Sequence, residues 1–152
     1  MQNLSLLSRR IKLFFNISNR DKVDFIKAFF YMGIFRAYIL FVPFNKLRKR
    51  MGKLKIESPE DVDMAIYREA KRVASIISII AKYTPWESKC LVQALTAQKL
   101  LSKLNIATTL YLGVKKDKDN NMLAHAWTRC GKYFVTGGYN KEGYAVVAKF
   151  TK

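Results

Sequence analysis

The sequence has few of the residues that bind metals or form disulfides. Its 152 residues contain one histidine, His125, and two cysteines, Cys90 and Cys130. A structural zinc site normally takes four cysteine or histidine ligands, so this set does not supply one. The first residues also lack the charged start and the uninterrupted apolar run of a secretory signal. We therefore expect a cytoplasmic protein with free thiols, no metal and no other cofactor.

Long apolar runs are missing as well. The most apolar stretch lies between residues 25 and 45, where Lys27 and Arg36 leave uncharged runs of eight (28–35) and nine (37–45) residues. A helix that spans a membrane needs about 18 or more apolar residues. The sequence therefore predicts no transmembrane helix here.

Acidic residues are scarce, and the charge is unevenly placed. The chain has 28 Lys and Arg against 11 Asp and Glu, a formal net charge of +17. Residues 1–56 carry 13 basic and two acidic residues (net +11), and residues 57–152 carry 15 and nine (net +6). Such a basic segment indicates an acidic partner, which could be a peptide, another protein, a membrane surface or nucleic acid. No nucleic-acid-binding motif accompanies the charge, so we expect no nucleic acid partner.

Helical periodicity dominates the first two thirds of the chain. Ser58 and Pro59 have the pattern of an N-cap followed by proline at the first helical position. We interpret residues 1–56 as a basic helical extension that packs on the domain, docks on a partner or contacts a membrane surface. The predicted helices cover residues 3–15, 19–42, 58–82 and 90–104.

Alternating apolar and polar residues predict strands in the last third. A polar turn over residues 115–121, Gly131 and the Gly137-Gly138 pair separate them. Helices followed by an antiparallel meander predict an α+β domain over residues 57–152. The predicted strands cover residues 108–114, 122–129, 133–136 and 144–150.

Cys90 stands at the predicted N-terminus of the last helix. Backbone N–H groups there have no helical acceptor, and they favour a thiolate over a thiol. The same groups can stabilise the oxyanion that forms when a thiolate attacks an amide carbonyl. His125 follows 35 positions later and could accept the thiol proton, then protonate the leaving amine. The two residue types therefore predict a cysteine amidohydrolase or an acyl transferase.

Other interpretations of these residues remain open. A lone cysteine or histidine is often a packing residue, and the chain would then be a basic binding module for an anionic membrane surface or nucleic acid. Rapid alkylation of Cys90 would distinguish an enzyme from such a module. Cys130, next to Gly131 at the predicted hairpin turn, is expected to be a bystander. Trp86 and Trp127 either pack in the core or shield the Cys90 and His125 pair from water.

Three blocks resemble one known family. They are Thr84-Pro85-Trp86-Glu87-Ser88-Lys89-Cys90-Leu91-Val92-Gln93-Ala94, Tyr111-Leu112-Gly113-Val114 and Ala124-His125-Ala126-Trp127. Together they resemble the lasso-peptide biosynthesis B2 proteins, transglutaminase-like cysteine peptidases that cut the leader from a lasso precursor peptide. Val135-Thr136-Gly137-Gly138 and Ala145-Val146-Val147-Ala148-Lys149-Phe150 are also similar to the stand-alone form of that family.

The resemblance implies a papain/transglutaminase-like α+β core, with Cys90 as the nucleophile and His125 as the general base. It also implies three partners: a lasso precursor peptide as substrate, a separate leader-binding protein, and an ATP-dependent lasso cyclase that acts afterwards.

The chain departs from the family at the residue that orients the histidine. Related enzymes commonly place an Asp on the strand after the histidine. Here Thr136 and Gly137 face His125 across the predicted hairpin, and neither is a carboxylate. The candidates are Thr136, Asn140, Glu142 or a backbone carbonyl, since a neutral acceptor suffices in papain-type sites.

Overall fold

The computed structural model describes residues 16–152, so the helix predicted over residues 3–15 lies outside the described residues. The described residues begin with four α-helices, and one short strand lies between the second and the third. The helices and strands are α1 (Asn19–Phe41), α2 (Phe44–Arg48), β1 (Lys53–Leu54), α3 (Met64–Ile80), α4 (Cys90–Ser102), β2 (Thr109–Lys116), β3 (Met122–Cys130), β4 (Tyr133–Thr136) and β5 (Ala145–Thr151).

The bounds of α1 confirm the prediction. The Ser18 hydroxyl accepts a hydrogen bond from the Asp21 backbone N–H at 3.1 Å, which caps the first turn. The helix ends before Pro43, where Val42 has already turned to an extended conformation. None of the helices in residues 16–152 is long and apolar enough to cross a membrane.

The third predicted helix begins later than expected, so the prediction of Ser58 as its N-cap was wrong. Ser58 is buried, and its N–H and hydroxyl both bond to the Thr109 hydroxyl, at 2.7 and 2.9 Å. Its carbonyl accepts from the Arg129 guanidinium. These bonds hold residues 57–60 against β2 and β3, and the helix starts only after Asp63.

The five strands form one antiparallel sheet in the order β1-β5-β2-β3-β4. A meander was predicted, and β2, β3 and β4 do follow one another. However, β5 crosses back and pairs with β2, and β1 then pairs with β5. The crossing leaves β4 as an edge strand.

Helix α4 lies at the centre of the molecule, between the sheet and the helices α1 and α3. Eight of its 13 residues are buried, so the helix is covered on more than one side. Its small residues Ala94 and Ala97 are fully buried and allow close packing on both sides. Even Gln98 is buried, with its amide near the Phe150 carbonyl.

Helix α1 packs on the same core. Its Ala28 and Met32 are fully buried in one cluster with Val73 of α3 and Leu101 of α4. At Gly33 an added Cβ would come within 2.9 Å of the Trp86 ring, so glycine permits the close approach here. The described part of the predicted N-terminal extension therefore contacts the rest of the fold over most of one helix.

Arg72 of α3 ties α1 in place. Its guanidinium lies 2.8 Å from Asp21, 2.7 Å from Asp24 and 3.1 Å from Glu69. These groups are largely shielded, since the Arg72 side chain is 19% exposed. The hydrogen bond from Arg72, followed by that from Ser18, lowers the pKa of Asp21.

Replacing this guanidinium should loosen α1. We expect Arg72→Ala to lower the free energy of unfolding by about 1–3 kcal/mol, because three carboxylates lose a shared partner. The control is Arg68→Ala on the same helix, an exposed position. Because the folded pKa of Asp21 is depressed, the stabilisation exists at neutral pH and is lost as pH falls below about 4. Urea unfolding should show a larger wild-type advantage over Arg72→Ala at pH 7 than at pH 3; an equal loss of stability in Arg72→Ala and Arg68→Ala would contradict this.

Candidate active site

Cys90 is the first residue of α4, and its thiol is free and half-buried. No described side chain caps the helix, so the N–H groups of its first turn remain available. The preceding loop is fixed by two hydrogen bonds: Thr84 to the Ser88 hydroxyl at 2.8 Å, and the Gln93 amide to the Ser88 carbonyl at 2.7 Å. The thiol therefore sits at a rigid, uncapped helix N-terminus.

Two neighbours of Cys90 have other partners. Lys89 pairs with Glu87 at 2.6 Å and is largely exposed, and Glu87 also pairs with Arg36 of α1 at 2.9 Å. Trp86 packs against Phe29, with ring centroids 4.9 Å apart. These contacts anchor the Cys90 loop to α1.

His125 lies on β3, directly opposite Gly113 of β2. Its ring packs against Trp127 and Tyr144, with centroids 5.6 and 5.2 Å apart. The Nε2 atom is 2.8 Å from the Gly137 carbonyl. A carbonyl only accepts, so Nε2 carries the hydrogen and Nδ1 is the free acceptor of the neutral ring.

The group that orients His125 is therefore a backbone carbonyl. Gly137 has φ +68°, and an added Cβ would lie 2.6 Å from the Ala126 carbonyl and 3.1 Å from Nε2 of His125. Glycine is the residue that this turn accepts. Among the residues that the structure describes, the side chains of Thr136, Asn140 and Glu142 make no hydrogen bond to the ring: Thr136 is buried, with a hydroxyl that has no partner, and the other two are exposed.

Alternation along β3 sets the direction of the His125 side chain, and Ala126 beside it packs in one cluster with Cys90. Ala126 and Thr128 face α4, since Thr128 donates to the Ala94 carbonyl at 3.1 Å and Ala126 shares a cluster with Cys90. Neighbouring side chains on a strand point to opposite faces, so His125 and Trp127 project from the far face of the sheet. Within residues 16–152, no hydrogen bond joins the Cys90 thiol and the His125 ring.

The structure also shows what surrounds Trp127 and Cys130. Trp127 is 4% exposed and stacks between His125 and Tyr111, with a centroid distance to Tyr111 of 5.6 Å. Cys130 is the last residue of β3 and is fully buried, and burial raises the pKa of its thiol. Tyr144, which contacts His125, had no sequence signal beyond its place at the start of the last predicted strand.

A cleft of about 740 Å³ lies between α3 and β4. Gln93, one turn after Cys90, lines the cleft, and so does Gly137, the partner of His125. β4 is the last strand of the described sheet, so no described strand pairs with its outer edge. The cleft therefore borders α4, which carries Cys90, and the Gly137 turn, which holds the His125 ring.

Comparison with known proteins identifies the family. A family model described as Transglutaminase-like superfamily matches residues 38–149, which include both Cys90 and His125. The chain therefore belongs to the transglutaminase-like superfamily, whose members are generally cysteine-dependent enzymes. Neither a curated protein nor a solved structure gives a significant match.

The Gly137 turn can be tested with a matched glycine. Gly143 also has positive φ, +79°, but an added Cβ there would meet only a Lys115 side-chain atom at 3.9 Å. We expect Gly137→Ala to cost about 1–3 kcal/mol more stability than Gly143→Ala. Because the chain has one histidine, its ring nitrogen signals can be followed directly by NMR.

The expected NMR result in the wild type is the Nε2–H tautomer of the neutral ring. That signal should change in Gly137→Ala and persist in Gly143→Ala. An Nδ1–H tautomer in the wild type, or no difference between the two alanine variants, would contradict the assignment of Gly137 as the acceptor.

Proposed function

We propose that this transglutaminase-like chain is a cysteine endopeptidase that removes the leader from a lasso precursor peptide. Cys90 is the nucleophile and His125 the general base. The observation that carries the proposal is the free thiol of Cys90 at an uncapped helix N-terminus, one turn before Gln93, which lines a cleft large enough for a peptide. The superfamily match supports cysteine chemistry, and the sequence blocks around both residues resemble the lasso B2 proteins.

The chemistry follows from these groups. Nδ1 of His125 takes the thiol proton as the sulfur attacks the carbonyl carbon of the bond between leader and core. The N–H groups of the first turn of α4 stabilise the oxyanion. The C–N bond then breaks, and the imidazolium gives its proton to the leaving amine. Water, activated by the same imidazole, hydrolyses the thioester to the leader carboxylate and restores the thiol.

This mechanism requires the imidazole to meet the thiol, and within residues 16–152 no hydrogen bond joins the two side chains. Residues 122–127 of β3 pair with β2 alone, and β4 joins only from Thr128 onward. Residues 122–124 are also exposed. This end of β3 is therefore the less constrained part of the strand, and we propose that binding of the substrate or of the leader-binding protein brings the imidazole to the thiol.

The cleft suggests how the substrate binds. An extended peptide can add to the open edge of β4 through main-chain hydrogen bonds. A peptide bound there would run past Gly137 towards the first turn of α4. Thr136 lines this wall, and its buried hydroxyl has no partner among the described residues.

The proposal includes partners. A separate leader-binding protein would present the precursor, and an ATP-dependent cyclase would close the ring on the amine that cleavage frees. We place this pathway in the cytoplasm. An acyl transferase would use the same thioester with an amine as acceptor; the mass of the released leader distinguishes the two, because transfer adds the amine.

Substitution of the pair tests the mechanism. We expect Cys90→Ala to abolish leader cleavage and His125→Ala to reduce it by at least a thousandfold. The matched control is Cys130→Ser, which removes the other thiol and should leave the Cys90 chemistry in place. Cleavage is followed by mass spectrometry with the precursor and leader-binding protein present, and circular dichroism checks the fold. Undiminished cleavage by folded Cys90→Ala would refute the proposal.

Iodoacetamide labelling measures the dyad directly. We expect Cys90 to label faster when the precursor and leader-binding protein are added, and we expect that acceleration to disappear in His125→Ala. Equal labelling rates with and without these partners in the wild type would show that the imidazole does not approach the thiol.

Filling the cleft separates substrate binding from thiol chemistry. Ser78 is exposed on α3 and lines the cleft. We expect Ser78→Trp to lower kcat/KM for the precursor at least tenfold, while alkylation of Cys90 by the small iodoacetamide is unchanged. Ala65→Trp, at an exposed position in the first turn of α3, is the control. Equal kcat/KM values for the two tryptophan variants would place the substrate elsewhere.

A further inference from the structure

Helix α1 has an apolar face that the other described residues, 16–152, leave uncovered. Its large side chains at helical spacing are about half exposed, and they form one row about 27 Å long at 1.5 Å per residue. The row consists of Val23 (49% exposed), Ile26 (54%), Phe30 (60%), Ile34 (47%), Leu40 (56%) and Phe41 (81%). Phe44, at the start of α2 and 53% exposed, follows it. We call these seven residues the apolar row.

Such a row is unusual on the surface of a soluble domain. The opposite face of α1 is buried through Ala28 and Met32, so the helix is apolar on both sides. A helix that is apolar all round is normally covered on all sides, and contiguous exposed apolar patches mark interaction surfaces. The apolar row therefore needs a partner whose chemistry the neighbouring residues can indicate.

A cationic cavity of about 310 Å³ lies on one flank of the row, and Ile34 belongs to both. Lys49, Arg50, Lys99 and Lys152 line it. No Asp or Glu side chain lines it, and none of the four cations has an ion pair within residues 16–152.

The cations crowd one another. Burial and the neighbouring Lys99, Arg50 and Lys103 lower the pKa of Lys152. Two of the cations also lie over aromatic rings of α1: Arg50 is 4.6 Å from the Tyr38 centroid, and Lys99 is 5.9 Å from that of Tyr31. A bound anion would relieve this repulsion.

The segment that follows the row extends the positive surface. Residues 44–55 contain six Lys and Arg residues and no acidic residue. Apolar side chains beside a dense positive surface match an anionic lipid bilayer, whose head groups are negative and whose interior is apolar. A hydrophobic protein partner would explain the row but not the cavity.

We propose that α1 docks on an anionic membrane surface, with the apolar row inserted among the acyl chains and a lipid phosphate held in the cationic cavity. The helix lies in the plane of the interface. The contact is separate from the cleft between α3 and β4, so it goes beyond the peptidase function and does not depend on it.

Sedimentation of the full chain with vesicles tests the docking. The probes are vesicles of phosphatidylcholine alone and of equal parts phosphatidylcholine and phosphatidylglycerol. We expect binding to the anionic vesicles at least tenfold tighter than to the neutral ones. The double variant Ile26→Ser/Phe30→Ser should weaken anionic binding at least tenfold. The control is Met64→Ser, at a 66% exposed position on α3.

Two double variants that remove the same charge test the cationic cavity. Lys99→Gln/Lys152→Gln removes two charges, and we expect about a fivefold loss for each. Lys116→Gln/Lys118→Gln removes the same charge from the exposed turn after β2 and should bind like the wild type.

Three results would overturn the proposal. One is the absence of binding to anionic vesicles. The second is binding that the serine variant leaves unchanged and that both charge variants weaken equally, since that pattern is diffuse electrostatic attraction. The third is a dimer in sedimentation velocity that Ile26→Ser/Phe30→Ser dissociates without any vesicle binding, because the row would then join two copies of the chain. Leader cleavage in solution, measured in the same variants, reports separately on the peptidase proposal.

Discussion

The burial of α4 is the constraint on which the rest of the structure depends. The sheet covers one side of this helix, and α1 and α3 cover the others, so eight of its 13 residues are out of solvent. A helix enclosed in this way has few ways to shift, and its first residue inherits that rigidity. Cys90 is therefore held at a fixed point, where free N–H groups meet the surface. The same packing explains why α1 belongs to the core although it lies far from Cys90 in sequence.

Local signals were enough to predict most of the elements of the fold. Helical periodicity over residues 19–42 and the alternation in the last third gave helix and strand bounds close to those observed. What failed depended on contacts distant in sequence. Ser58 has the sequence of an N-cap, but it bonds instead to Thr109, 51 positions away. The return of β5 to β2 likewise follows from pairing across the sheet, which no local pattern encodes.

The sequence likewise predicted only part of the candidate active site. The position of Cys90 at a helix N-terminus follows from periodicity and from the break at Pro85. The alternation of β3 predicts that His125 and Trp127 share a face, which the structure confirms, but it does not say which face α4 covers. That choice is made by Ala126 and Thr128, whose small side chains fit beneath Ala94 and Leu95. The carbonyl of Gly137 was an open alternative, because only the positive φ of that residue aims it at the ring.

The contacts that hold His125 also set the energy needed to move it. The ring makes one hydrogen bond to a neutral carbonyl, worth about 0.5–1.5 kcal/mol. It has two aromatic neighbours, each worth about 0.5–1.5 kcal/mol. A charged acceptor in place of Gly137 would strengthen the hydrogen bond to about 1.5–3 kcal/mol. The sum of a few kcal/mol lies within what differential binding of a ligand supplies. An orienting carbonyl in place of an Asp therefore leaves the imidazole in a defined position that a bound peptide can change.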